Sequence, residues 1–415
     1  MVAIHPFRAL RFNPDVVGDL SRVISPPYDV IGPEEQERLY QASPYNIIRL
    51  ILGKQDPRDN DADNRYTRAR QTYEAWCGGE VLRRDPAPAL YLVEHAFSAD
   101  GARHVRLGLI ALLEFGDGPR PGLADSRGGP ACSVFRHEAT LAAPKADRTK
   151  LLEAVPANLE PIFCVFPDER RDIQALLEET VKRSAPVITA TLHEQPVRVW
   201  ALTEPALIER IARHLASATV LIADGHHRFE VAYAKRQQHG ALMSYFASMA
   251  DPALVVRPIH RVVTPEAVPS RQALEALASL EPARTLAELT GWLEQRSTEH
   301  RFGFYDGRGL SRVRLIPERI AQWLMSPTVP LPVASLDVSV LHGLVLPAET
   351  PVRYVADAAE ALRAVDAGQG RSAWLLRGIP LPQVYALASQ GLVLPPKSTY
   401  FYPKVPSGLT LNPLI

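Results

Sequence analysis

Short apolar runs alternate with segments of helical spacing along most of the chain, the pattern of a mixed α/β or α+β protein. NIIRLIL (46–52) reads as a strand, and NRYTRARQTYEAWCGGEVL (64–82) as a helix that fades at Gly78 and Gly79. ALYLVEHAF and HVRLGLIALLEF flank SADGAR, which predicts an antiparallel hairpin closed by an Asp-Gly turn. After a polar, Gly- and Pro-rich loop (116–131), PIFCVF reads as a buried strand and DERRDIQALLEETVKRSA as a helix. PVITATLHE and VRVWALT follow as a strand pair. EPALIERIARHLA is a helix with a proline near its first turn, where no helical donor is lost. ATVLIADG is then a strand that runs into HHRFE and the helical VAYAKRQQHG.

Further along, helical stretches near 270–295 precede a hairpin pattern in FGFYDGRGLSRVRLI. The tail alternates helix and strand through DVSVLHGLVL, VRYVAD, AAEALRAVDAG, SAWLLRG and LPQVYALASQG. No repeat of fixed period is present. The expected fold class is α/β, an α+β mixed sheet, in two lobes. A main lobe spans 1–265 and carries the ADGHHR segment; a second spans 266–415, with a C-terminal loop that returns toward it.

A chain of 415 residues buries a large core, and its 46% hydrophobic and 22% charged residues are those of an ordered globular protein. Its 46 basic and 46 acidic residues cancel, so electrostatics give no support to a dedicated nucleic-acid binder. The 37 prolines are scattered, with pairs at Pro26-Pro27 and Pro395-Pro396, and stiffen loops rather than form a low-complexity tail. Cys77, Cys132 and Cys164 lie far apart without a CxxC spacing, which suggests neither a zinc knuckle nor a disulfide framework. Buried or half-buried thiols in a reducing cytoplasm are expected. MVAIHPFRALRFNP meets His, Pro and Arg before any apolar stretch, unlike a signal peptide. No run approaches the roughly 18 apolar residues of a membrane span.

Four clusters carry candidate chemistry. In IADGHHRFE (222–230) a strand ends in Asp224-Gly225 and a helix follows at once. Gly225 allows positive φ or close approach, the helix N-terminus aims N–H groups outward, and Arg228 adds a bidentate donor; together these suit a phosphate. Asp224 can hold Mg²⁺ or act as a base, and His226 or His227 can move protons or stabilise developing charge. An N-cap aspartate beside a buried histidine is the plainer alternative. The second cluster, FRHEATLAAPKADRTK, holds Arg136, His137 and Glu138, then Lys145, Asp147 and Arg148, without the HExxH spacing of a zinc protease. The third, SPPYDV, presents Tyr28 and Asp29 on a rigid turn. The fourth, PPKSTYFYPK, places Lys397 and Lys404 around hydroxyls in a proline-braced loop. On DVSVLHGLVL, Asp337 and His342 read as a structural pair.

Walker A, GxGxxG and GxSxG sequences are all absent, so a nucleotide must be held by another device. Together, PPYDV, HExT…DR, ADGHHR and PKSTYFYPK resemble a bacterial and archaeal family of unknown function, over nearly the whole chain. ADGHHR is in turn similar to the DGxHR signature of the ParB/sulfiredoxin superfamily, which includes free-serine kinases. That resemblance implies a nucleotide-binding core elaborated by additional α/β lobes, with Gly225, His227 and Arg228 on nucleotide phosphates. Sulfiredoxin activity needs a cysteine in this turn, and residues 224–228 contain none. ParB partition proteins carry a helix-turn-helix and a basic surface, neither of which is evident.

The leading expectation is a nucleotide-dependent phosphotransferase acting on a small hydroxylated metabolite, with free serine as the attractive acceptor and ATP or ADP with Mg²⁺ as cofactor. Asp224, His226, His227, His137 and Glu138 are the candidate catalytic residues; Asp224 is also the candidate for Mg²⁺. Gly225, Arg228, Arg136, Arg148, Lys397 and Lys404 are the candidate nucleotide contacts. A phosphoester hydrolase, such as a phosphoserine phosphatase, and a nucleotide-sensing module that turns nothing over are the alternatives.

Overall fold

The computed structural model of the chain describes residues 1–99, 101–115, 134–264, 274–346 and 350–414. The loop 116–131, Cys132, Asp100 of the hairpin turn and the expected lobe boundary at 265/266 lie outside the described residues. The chain divides into two compact units. The first comprises Met1–Arg136, Thr140–Val255 and Pro403–Ile415; the second comprises His137–Ala139 and Val256–Tyr402.

A mixed parallel and antiparallel sheet, with nine strands among the described residues, frames the first unit. In chain order these are β1 (Ile4–His5), β2 (Leu90–Ala99), β3 (Ala102–Glu114), β4 (Val134–Arg136) and β5 (Ile162–Phe166). Then come β6 (Ile188–Leu192), β7 (Gln195–Leu202), β8 (Val220–Asp224) and β9 (Ala241–Ser248). They lie in the order β4-β8-β5-β9-β3-β2-β7-β6, with β1 beside β3. β8 is parallel to β4 and β9 to β5, while the remaining neighbours are antiparallel. The expected hairpin is formed by β2 and β3, from Tyr91 opposite Ile110 to Ala99 opposite Ala102.

The helices of this unit include α1 (Arg65–Gly78), α2 (Ala142–Ala154), α3 (Asp172–Arg183), α4 (Pro205–Ala216) and α5 (His226–Ala234), the last three packing on the sheet's core. Asn64 starts α1 by accepting from the N–H groups of Tyr66 and Thr67, and Pro205 stiffens the first turn of α4. Ile173 and Leu177 of α3 and Ile211 and Leu215 of α4 join Ile162, Cys164, Val220 and Ile222 in one core. A second core gathers Phe12, Ile47, Ile48, Ile51, Trp76, Leu151 and Leu411. Val220, Leu221 and Ile222 are all fully buried, as a strand covered on both faces should be. Cys164 is buried, but Cys77 is exposed on α1 rather than half-buried.

NIIRLIL is not a strand. Ile48–Ile51 form a helical turn, with Asn46 Oδ1 accepting from the Ile48 N–H at 2.9 Å. Its Nδ2 donates to the carbonyls of Arg22 and Ile24. Ile47, Ile48, Leu50 and Ile51 are all buried, and an apolar run buried on every side carries no period that separates helix from strand.

The second unit is built on an antiparallel sheet of β10 (His260–Val263), β11 (Ala278–Ala283), β12 (Arg301–Tyr305), β13 (Leu310–Leu315), β14 (Val352–Val355) and β15 (Ser372–Leu375). Their order is β11-β13-β12-β15-β10-β14. Residues 278–283, expected within a helical stretch, are the edge strand β11, where Pro282 costs no interior ladder bond. Pairing with β13 outweighs the helical propensity of the alanines and leucine. α6 (Leu286–Glu294) and α7 (Ala358–Asp366) bury Leu289, Trp292, Ala361 and Val365 against Val262, Ala373 and Leu375. Asp337 and His342 do not pair with each other. Asp337 meets His300 Nδ1 at 2.7 Å and Arg377, whereas His342 Nε2 accepts from Arg261 Nε at 3.1 Å. Positions five apart do not share a helical face. Among the described residues no helix is long and apolar enough to cross a membrane.

Candidate functional site

The ADGHHR segment forms a strand-to-helix corner. β8 ends at Asp224, after a register irregularity against β5 between Ile222 and Asp224. Gly225 then turns the chain at φ +88° and caps α5, its carbonyl accepting from the Phe229 N–H at 2.9 Å. A Cβ here would sit 2.9 Å from Ile162 Cγ2 and 3.0 Å from Arg228 Nη2, so glycine is required by both conformation and space. His226, His227 and Arg228 occupy the first turn of α5, where the helix dipole and open N–H positions favour negative charge.

Arg228 reaches back to the strand end. Its Nη2 donates to Asp224 Oδ2 at 2.9 Å and its Nη1 to the Pro161 carbonyl. Lys404, on the C-terminal segment, binds the other Asp224 oxygen and donates to Asp29 Oδ2 at 2.8 Å. Burial works against the charge on both cations. The carboxylates of Glu160, Asp224 and Asp29 outweigh it at Arg228, and those of Asp224 and Asp29 at Lys404, so both pKa values lie above their ordinary values. Asp29 and Tyr28 come from the proline-stiffened PPYDV turn, and the Tyr28 N–H donates to Glu160 Oε1 at 3.1 Å. Burial, with Asp29 adding to it, pushes the Tyr28 phenol pKa up.

Arg148 stands 3.8 Å over the Tyr28 ring. Its Nε donates to Asp147 Oδ2 at 2.7 Å and its Nη1 to the Ile51 carbonyl at 2.9 Å. Arg136, at the end of β4, donates through Nη1 to Glu230 Oε1 at 2.7 Å, and Lys145 Nζ to Glu230 Oε2 at 3.1 Å. Burial would raise the Glu230 pKa, but Lys145, Thr140 and Arg136 hold it below the ordinary carboxylate value. His227 Nε2 accepts from the Leu141 N–H at 2.9 Å, tying α5 to the start of α2, and His226 is buried.

A cavity of about 460 Å³, open mouth included, adjoins this corner. Arg148, Glu160, Asn158 and Arg228 supply its polar lining, and Leu151, Leu152, Val231 and Leu242 much of its apolar wall. Arg228 Nε is buried with no hydrogen-bond acceptor among the described residues. A guanidinium with one unmatched N–H, on the wall of a mostly apolar cavity, suits an anionic group carried on an apolar body. No three His, Cys, Asp or Glu side chains among the described residues are grouped to hold a metal ion. Asp224 and Asp29 do meet at one ammonium, and one or two carboxylates are what Mg²⁺ carried by phosphates requires.

Asp224, Gly225, Arg228 and Lys404 are thus neighbours in the first unit, and Arg148 lines the same cavity as Arg228. Arg136 is engaged with Glu230. His137, Glu138 and Lys397 belong to the second unit. His137 is fully buried, with Nε2 2.8 Å from Thr399 Oγ1. Glu138 accepts from the N–H groups of Lys397, Ser398 and Thr399. Glu160, which binds Tyr28, Ser407 and the environment of Arg228, escaped sequence reasoning. A lone acid before PIFCVF carries no local pattern that marks it.

Among solved structures, a conserved hypothetical protein from Pyrococcus furiosus is 13% identical with a TM-score of 0.35, covering 68% of this chain and 94% of that one. A free serine kinase in complex with AMP is 12% identical with a TM-score of 0.33, covering 65% and 83%. SbnI with a C-terminal truncation, from Staphylococcus aureus, is 10% identical with a TM-score of 0.36, covering 68% and 84%. Among curated proteins none matches. Residues 4–339 match a family model described as a protein of unknown function, DUF1015, and the chain belongs to that family.

Proposed function

We propose that the protein is a nucleotide-dependent phosphotransferase that acts on a small hydroxylated metabolite, with free serine as the first acceptor to test. The observation that carries this reading is Arg228, its buried Nε without an acceptor among the described residues, held beside Asp224 at a glycine-turned helix start and on the wall of a cavity. Phosphoryl transfer is mostly positioning and charge stabilisation, which this arrangement provides without a Walker A loop. Arg228 and Lys404 stabilise phosphate oxygens, while Arg148 orients the group in the cavity. Asp224 takes the hydroxyl proton, and His227 supplies or holds a proton at the helix start. Mg²⁺ brought by ATP or ADP would offset phosphate charge; Asp29 would be its carboxylate, and Asp224 would join it only where another group takes the hydroxyl proton.

The test is incubation with ATP or ADP, Mg²⁺ and a panel of hydroxylated metabolites, with phosphorylated products read by ³¹P NMR. A product formed by the native protein and lost in Arg228→Ala supports the reading. Turnover equal in the two proteins overturns it. Release of phosphate from phosphoserine without nucleotide would assign a phosphatase, and nucleotide binding without turnover a sensor.

A further inference from the structure

In the second unit the PPKST turn closes around a carboxylate. The N–H groups of Lys397, Ser398 and Thr399 point to Glu138 at 3.3, 3.1 and 3.3 Å, and Thr399 Oγ1 lies 3.4 Å away. Lys397 is held at φ +60°, an uncommon conformation for a side-chain-bearing residue, and it is this twist that lets successive N–H groups converge. His137 Nε2 fixes the Thr399 hydroxyl at 2.8 Å, while its carbonyl accepts from the Leu394 N–H at 2.7 Å. Three backbone donors and a hydroxyl shared over the two oxygens of one carboxylate form the geometry by which proteins hold oxyanions.

Two further facts separate this turn from an ordinary clamp. The Lys397 ammonium has no hydrogen bond or ion pair among the described residues, so a full positive charge beside the turn is left unmatched. Arg261 is almost fully buried with Nη2 lacking an acceptor among the described residues. It lies close enough to Glu138 for their charges to interact: burial pushes its pKa down to about 10, and Tyr354 and Glu138 act the other way. One carboxylate is thus the occupant of a turn whose own lysine has an ammonium unpaired among the described residues, and it interacts with the charge of Arg261. A phosphate group, with more charge and more acceptor oxygens, would use these cations and the turn's donors more fully.

We propose that the Lys397–Thr399 turn is a phosphate-binding site in its own right, and that Glu138 is the built-in occupant a phosphate group displaces. The proposal stands apart from the phosphotransfer reading, because it is tested with inorganic phosphate alone, without nucleotide or acceptor.

The experiment compares the native chain with Glu138→Ala, Glu138→Gln and the double variant Glu138→Ala/Lys397→Ala, by isothermal titration with inorganic phosphate. Thermal unfolding in phosphate against chloride at equal ionic strength is the second readout. Glu138→Ala should bind phosphate on the order of tenfold more tightly than the native chain, and phosphate should restore its unfolding temperature. Glu138→Gln should show a smaller gain, and the double variant should lose it. Should Glu138→Ala not fold, Glu138→Gln alone carries the comparison. A phosphate response no larger in either single variant than in the native chain overturns the proposal. So does equal binding with and without Lys397.

Discussion

Arg228 Nη2 lies 2.9 Å from Asp224 Oδ2, one helical turn back and across the glycine that separates strand from helix. The pair locks the first turn of α5 to the end of β8, and both partners are mostly buried. Removing Arg228 leaves the mostly buried Asp224 with Lys404 as its remaining cation and the Pro161 carbonyl without its donor. Arg228→Ala should therefore lower the unfolding free energy by about 3 kcal/mol in urea denaturation. A loss below about 1 kcal/mol would show that the pair does not hold the corner together.

Gly225 and Gly18 both lie at positive φ, but their surroundings differ. A Cβ at Gly18 meets nothing within 4 Å, whereas at Gly225 it meets Ile162 and Arg228 at 2.9 and 3.0 Å. Gly18→Ala should cost about 1 kcal/mol from backbone strain alone. Gly225→Ala should cost at least about 2 kcal/mol and should weaken any ligand binding that depends on Arg228. Equal costs in chemical denaturation would remove the packing argument.

The two histidines of ADGHHR attract attention in the sequence, yet the structure gives much of the corner's order to residues far away in the chain. Gly225 and Arg228 were legible because a glycine and a basic residue at a strand-to-helix switch have a local physical meaning. Lys404 was legible as a cation in a proline-braced loop. Its pairing with Asp29 and Asp224 was not, since contacts between residues separated by hundreds of positions leave no periodic trace. Glu160 was invisible for the same reason. The α/β class and most helices followed from apolar spacing, while NIIRLIL and residues 278–283 went astray where burial on all sides or edge-strand pairing decides the backbone.

His342 accepts from Arg261 and must be neutral to do so. Burial, with Arg261 adding to it, lowers its pKa from the ordinary 6.5 to about 4. The unfolded chain then takes up this proton at a pH where the folded chain refuses it. Stability should fall as pH drops from about 6.5 to 4, by on the order of 2 kcal/mol for this residue. His342→Gln keeps an acceptor for Arg261 and should flatten that part of the stability–pH profile. An unchanged slope would contradict a neutral, half-buried His342.

Glu230 behaves in the opposite sense. Arg136 and Lys145 keep its pKa below the ordinary 4.5, so its ion pairs contribute fully above that value and are lost as pH falls through the lower, folded-state value. Glu230→Gln should be less stable than the native chain at pH 7 and closer to it at pH 3. Unfolding free energies at the two pH values provide the check.

Phosphate transfer remains the most direct measure of the corner's role. With ATP or ADP, Mg²⁺ and serine or another hydroxylated acceptor, the native chain should form a phosphorylated product visible by ³¹P NMR. Arg228→Ala, checked for folding by circular dichroism, should form it at least about 100-fold more slowly. A folded Arg228→Ala protein with native turnover, or a native protein that forms no product across the panel, would contradict the phosphotransferase reading.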